Sequence, residues 1–257
     1  MKMQRPTTIK VSLIVMLAIT LVNLTNTLYS RAQQNPHRDK VQQSEYIEAL
    51  KSRFPITDYE TPEPADADKR AKRKSRSVRH DKSMLGVKGG LNAPPNSGNE
   101  IVLVTDWEVS VPRIPAAQSD VILIGEILDA NAYISTDKNG VYSEFTTRVE
   151  DILKSDNVLP ISRGVEVSLE RQGGRVRYPS GRTEWFRIAL QSMPLANHRY
   201  LVFLKRTGEN SFHIITGYEL RDGRVYPLDS DASQFRVYDG MDEVPFLKQV
   251  QEAIVKQ

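Results

Sequence analysis

From residue 101 onward the apolar positions recur with the short period of β-strands. IVLV (101–104) is a brief apolar run, and SDVILIGEIL (119–128) is a stronger one that passes through a glycine. GVEVSLER (164–171) sets Val165, Val167 and Leu169 against Glu166, Ser168 and Glu170, the alternation of a strand with one buried face. VYSEFTTRVEDIL (141–153) mixes strand and helix spacing, but its aromatic and β-branched content favours a long strand. The turn chemistry of TDKNG (136–140) precedes it. GGRVRYPSGRTEWFRIAL (173–190) reads as a hairpin turning at PSGR, with Val176 and Tyr178 facing Trp185, Phe186 or Ile188. A clearer hairpin has arms Tyr200–Lys205 and Ser211–Tyr218 joined at 207–210, and RDGRVYPLD (221–229) adds a turn and a strand. The pattern then changes period: Phe246, Leu247, Val250 and Ile254 share one face of a helix over 243–256.

About seven short strands followed by one helix predict a mainly β fold. The expected architecture over 101–257 is a small antiparallel barrel, closed or partly closed, with a C-terminal amphipathic helix. Gly125 in a first strand, a charged strand ending DILKSD, a third strand GVEVSLE and then NHRYLVFLKR with a return hairpin resemble a pattern of uncharacterised exported bacterial proteins. Over about residues 118–220 the chain is similar to the OB-like barrel of netrin-type modules. Such modules carry cysteines at strand ends and this chain has none, so the resemblance implies an architecture and not an activity.

Upstream the pattern weakens. SEYIEALKSRF (44–54) places Tyr46, Ile47, Leu50 and Phe54 on a helical stripe behind Ser44 as N-cap, the one short helix of a polar segment at 33–54. Residues 55–99 show no apolar periodicity and predict a disordered linker: acidic and proline-bearing first, then the basic run KRAKRKSRSVRH (69–80), then Gly, Pro and Asn. Seven of the twelve residues in that run are Lys or Arg. At the N-terminus, Lys2, Arg5 and Lys10 precede the apolar run Val11–Val22, and Ser30-Arg31-Ala32 offers a small-x-small cleavage pattern. Residues 1–32 therefore read as a signal peptide or, if uncleaved, an N-terminal anchor that touches the membrane only through 11–29.

Charge divides along the same line. Residues 1–100 hold 17 Lys and Arg against 10 Asp and Glu, and residues 101–257 hold 18 against 22. The balance is thus +7 upstream and −4 in the expected barrel, which excludes specific nucleic-acid binding as the barrel's task. The lack of cysteine removes disulfides, thiolate catalysis and Cys-based zinc sites, and favours a bacterial envelope setting, periplasmic or extracellular.

Few residues form patterns that carry chemistry. There is no G-x-S-x-G, and Ser135-x-x-Lys138 falls in a turn rather than at a helix start. His37, His80, His198 and His213 have no metal-ligand spacing, so no metal or cofactor is expected. Asp137-Lys-Asn139-Gly140 and Asp229-Ser-Asp231 look like openings of calcium loops but lack the later ligands. The densest cluster is the 171–187 hairpin, where Arg175, Arg177, Tyr178, Arg182 and Trp185 form a candidate ligand face, with Trp185 as a stacking surface. Against that reading, the same arginines could pair with Glu166, Glu170 and Glu184. The chain is expected to be a non-catalytic envelope or extracellular binding module for a protein or an anionic polymer. A secreted enzyme without a recognisable motif, and a protein released by cleavage at the basic run, are the alternatives.

Overall fold

The computed structural model describes residues 45, 47–81, 100–105, 111–156 and 160–256. The expected signal segment, most of the 33–54 segment and residues 82–99 lie outside them. The chain divides into two units, Met1–Ala49 and Leu50–Gln257. In the first, helical backbone is described at 45 and 47–49. The second holds every described strand.

In the second unit helical backbone continues through 50–52, and the side chains of Leu50 and Phe54 from the expected stripe are buried. Strand β1 (Ile56–Asp58) follows. Helix α1 (Ala67–Arg79) begins behind Asp66, whose carboxylate accepts a hydrogen bond from the Lys69 amide at 2.9 Å. Asp68 in its first turn and Arg76 and Arg79 in its last complement the helix dipole. A strand and a thirteen-residue helix therefore occupy residues for which a disordered linker was expected. The correction has a physical cause: α1 has no apolar stripe, so its order rests on its cap and on polar contacts with distant strands. Strand β2 (Glu100–Thr105) completes this upstream part.

The rest of the unit is built from β3 (Val121–Ile134), β4 (Val141–Lys154), β5 (Glu166–Gln172), β6 (Gly174–Arg177), β7 (Thr183–Ile188), β8 (Arg199–Gly208), β9 (Ser211–Arg221), β10 (Arg224–Pro227), β11 (Met241–Asp242) and helix α2 (Glu243–Val255). A four-stranded sheet has the order β1-β6-β7-β2, and its outer strands pair parallel to the hairpin between them. The run IVLV is thus a strand, as expected, but belongs to this smaller sheet.

The larger sheet runs β11-β10-β9-β5-β4-β3-β8, and β8 also pairs with β9. The pairings β3–β4, β4–β5, β5–β9, β9–β8 and β8–β3 return to their start, giving a curled five-stranded, OB-like core. It is not a fully closed barrel. The β5–β9 seam is parallel and joins only Ser168, Leu169 and Glu170 to Ser211, Phe212 and His213. The other four pairings are antiparallel, as expected, and the β5–β9 seam alone among the five departs from that pattern.

Register shifts at Ile122/Leu123, Ile124/Gly125 and Ile127/Asp129 bend the long β3, letting it pair with β8 at one end and β4 along its length. Gly125 sits at one of these bends because a Cβ there would stand 2.7 Å from the Arg148 carbonyl oxygen. The expected C-terminal helix is present. Phe246 and Val250 are buried against Ile122, Ile124, Leu201, Phe203 and Tyr218, with Leu247 and Ile254 packed at the edge. Tyr200 and Val202, on the opposite face of β8, are buried as well, which explains the unbroken apolar run YLVFL.

Candidate functional site

The proposed ligand hairpin is β6–β7, turning at Tyr178–Arg182 with Gly181 at φ 82°. Its Cα register sets Arg175 opposite Trp185 and Val176 opposite Glu184. Arg175 Nε donates to the Phe54 carbonyl at 3.0 Å, and Arg177 Nε donates to Asp58 Oδ1 at 2.6 Å. Tyr178 stacks on Tyr59 with centroids 5.0 Å apart and donates its hydroxyl to Glu184 at 2.6 Å. Arg182 pairs with Glu184 and approaches the Tyr178 ring to 5.3 Å. Trp185 is 2% exposed, with the edge of Phe54 at 5.1 Å and Arg187 at 5.2 Å. Arg175, Arg177, Tyr178 and Trp185 hold the segment 54–59 onto the hairpin, and Arg182 braces the hairpin itself. Trp185 is no open stacking platform, because Phe54, from the end of the expected 44–54 stripe, covers it.

A different constellation forms on β4 and β5. Glu144 and Glu170 are cross-strand partners in that antiparallel ladder, and like charges so placed repel. Helix α1 lies over them. Arg76 Nη1 donates to Glu144 Oε2 at 2.5 Å, and Arg79 Nη2 donates to Glu170 Oε1 at 2.5 Å. His80, just past the helix end, places Nε2 3.3 Å from Glu170 Oε2 and stacks on Tyr142 at 4.2 Å with the rings 8° from parallel. Ser77 Oγ donates to the Ile134 carbonyl at 3.1 Å, and Arg73 stands 4.9 Å over Tyr133. The Asp137 amide, in the β3–β4 turn, donates to Asp81 at 2.9 Å.

A cleft of about 570 Å³ continues beside α1, between Lys72, Arg76 and Arg79 on the helix and the β8–β9 turn at Gly208–Ser211.

The electrostatics of the two carboxylates differ. Burial raises the Glu170 carboxyl, but hydrogen bonds from His80 and Ser211 and the nearby Arg79 outweigh it, bringing it down to about 2. Glu144 moves the other way: burial and the Glu170 charge raise it more than Arg76 lowers it. Glu170 is 1% exposed and Glu144 14%.

Ser211 Oγ lies 2.6 Å from Glu170 Oε1, so serine, glutamate and histidine meet here. The order differs from a serine–histidine–acid relay, since the carboxylate stands between hydroxyl and imidazole and the serine hydroxyl donates to it rather than to a histidine. What this face presents is a pair of carboxylates already paired with cationic side chains.

Other sequence candidates resolve locally. Asp229 is fully buried, accepting from Arg171 Nη2 at 2.8 Å, Thr216 Oγ1 at 2.7 Å and the Ser192 amide at 3.0 Å. It anchors Arg171 and does not open a cation loop. Asp137 accepts from Ser135 Oγ at 2.7 Å and the Asn139 amide at 3.0 Å, the bonding of a tight turn. His198 Nδ1 is 2.9 Å from Glu219, and His213 lies on β9 beside Glu170. Among the described residues no group of three or more His, Asp or Glu side chains is arranged to hold a metal ion.

Sequence reasoning missed the Glu144–Glu170–α1 site because its halves are about 70–90 residues apart, as in the pairing of Arg76 with Glu144 and of Arg79 with Glu170. The available signal was Glu170 on the polar side of an alternating strand, in a chain with a basic run and an acidic barrel. No protein-family model matches the chain, and no curated protein matches it either.

Proposed function

We propose that this chain is an exported, non-catalytic binding module whose β4–β5 face recognises a basic segment of a protein in the bacterial envelope or outside the cell. One observation carries the binding part: two carboxylates opposed across a ladder, a repulsive arrangement in isolation, are neutralised by arginines from a sequence-distant helix. A strand face that needs cations is built to receive them. Export rests on the signal-like residues 1–32. Among the described residues no helix is long and apolar enough to cross a membrane, and residues 11–29 are not among them.

The acidic face favours a basic protein segment over an anionic polymer, because the hairpin arginines that would hold a polymer are engaged with Phe54, Asp58 and Glu184. Titrating the full chain with fluorescent polyarginine and with a fluorescent sulfated polysaccharide tests the reading. Polyarginine binding that Glu144→Gln/Glu170→Gln weakens supports it. Binding of the polysaccharide alone, or of neither probe, removes it.

A further inference from the structure

We infer that α1 is a resident occupant of this face, and that the partner is an arginine-bearing helix of another protein presenting the same stripe, which binds by displacing α1. The inference rests on the binding-module reading and names its ligand. The stripe is Arg73, Arg76, Ser77 and His80, at i, i+3, i+4 and i+7, and these are the helix-side residues withdrawn from solvent. Each has a defined receptor: the Tyr133 ring for Arg73, Glu144 for Arg76, the Ile134 carbonyl for Ser77, and Glu170 with the Tyr142 ring for His80. Arg79 adds a second bond to Glu170 from the flank of the stripe.

What is missing from the seam matters as much. No aliphatic side chain of α1 is buried there, and its valine, Val78, is 50% exposed on the outside. A core helix is held by apolar burial, which only unfolding relieves. This one is held by ion pairs, hydrogen bonds and ring contacts, all of which a second helix with the same groups reproduces. Exchange therefore exposes no hydrophobic surface of α1. The chain around α1 also permits departure: Pro62, Ala65 and Asp66 on its N-terminal side are exposed, and α1 forms no ladder with any strand.

Because α1 competes from within the same chain, the affinity for an external helix is lowered by the fraction of molecules in which the face is open. Loosening α1 should raise it. The probe is a labelled peptide with the sequence of residues 66–81, compared with a scrambled peptide of the same composition and with polyarginine. The chain lacks cysteine, so Lys74→Cys and Glu209→Cys give unique dye positions on α1 and on the β8–β9 turn. In that otherwise unaltered full-length chain, peptide binding is expected to move the dyes apart. Arg76→Glu/Arg79→Glu is expected to bind the peptide at least about 10-fold more tightly than the unaltered chain. Equal binding of the scrambled peptide, peptide binding without dye separation, or concentration-dependent dimers formed by exchange of α1 would overturn the inference while polyarginine binding upholds the reading beneath it. If neither peptide nor polyarginine binds, both fall. Should the charge-reversed variant not fold, the dye-labelled chain still decides.

Discussion

Glu144 and Glu170 stand opposite each other across the β4–β5 ladder, and both are capped by arginines one helical turn apart on α1. The arrangement links the fold to the proposed task. Strand pairing fixes the two residues opposite each other on one face, so their carboxylates share a site and repel. The repulsion is relieved by bringing cations to them. Removing the helix leaves Glu170 with Ser211 and water, and Glu144 facing its neighbour.

The coupling between helix and face is therefore measurable. A double-mutant cycle on Arg79→Ala and Glu170→Gln, read as hydrogen-exchange protection of α1, should give an interaction of about 1–2 kcal/mol, less than for a fully desolvated pair because Arg79 is partly exposed. The melting of the barrel should change little. An interaction near zero would mean that α1 is held elsewhere.

Acid should act on the two parts in sequence. Burial first, then Arg171 and His80, push His213 from 6.5 down to about 4, with Glu170 opposing. The folded state thus keeps this imidazole neutral, and its stabilisation is complete above pH 6.5 and lost as pH falls toward 4. Glu170, lowered from 4.5 to about 2, stabilises the docked helix above pH 4.5 and releases it as pH falls toward 2. Glu144, raised by burial, works against that release. Thermal melts across this range should show the first loss abolished in His213→Gln, and α1 protection should persist until the second.

The buried Arg171–Asp229 pair is an anchor whose loss is severe. Asp229→Ala leaves an uncompensated guanidinium in the interior and should cost about 3–5 kcal/mol, lowering the melting temperature by roughly 8–15 °C. A melt within a few degrees of the unaltered chain would contradict this.

Gly125→Ala should also destabilise. Its Cβ would meet the Arg148 carbonyl at 2.7 Å and Thr147 Cγ2 at 2.8 Å, and a strand carbonyl in a ladder cannot withdraw freely. About 1–3 kcal/mol is expected, checked by urea unfolding.

Much of the strand framework was legible, and for specific reasons. The alternation in 164–171, the turn at 136–140 and the double-faced burial of YLVFL each leave a mark in residue order. The stripe of α2 does the same. The basic helix left none, because Arg73, Arg76, Ser77 and His80 are all polar and their partners, two carboxylates, a carbonyl and tyrosine rings, lie far along the chain. Trp185 was read correctly as part of a hairpin, but its burial was not legible: the stripe of 44–54 marks Phe54 as apolar without showing that it packs on Trp185.

Helix α1 occupies its strand face through ion pairs, hydrogen bonds and ring contacts, with no aliphatic side chain of its own buried there. Amide hydrogen exchange of the full chain, from low salt to about 1 M, where the screening length is roughly 3 Å, distinguishes such docking from apolar burial. Protection of residues 70–80 should fall steeply with salt while β3, β4, β8 and β9 stay protected. Protection of α1 that is indifferent to salt, or lost only with the barrel, would contradict it.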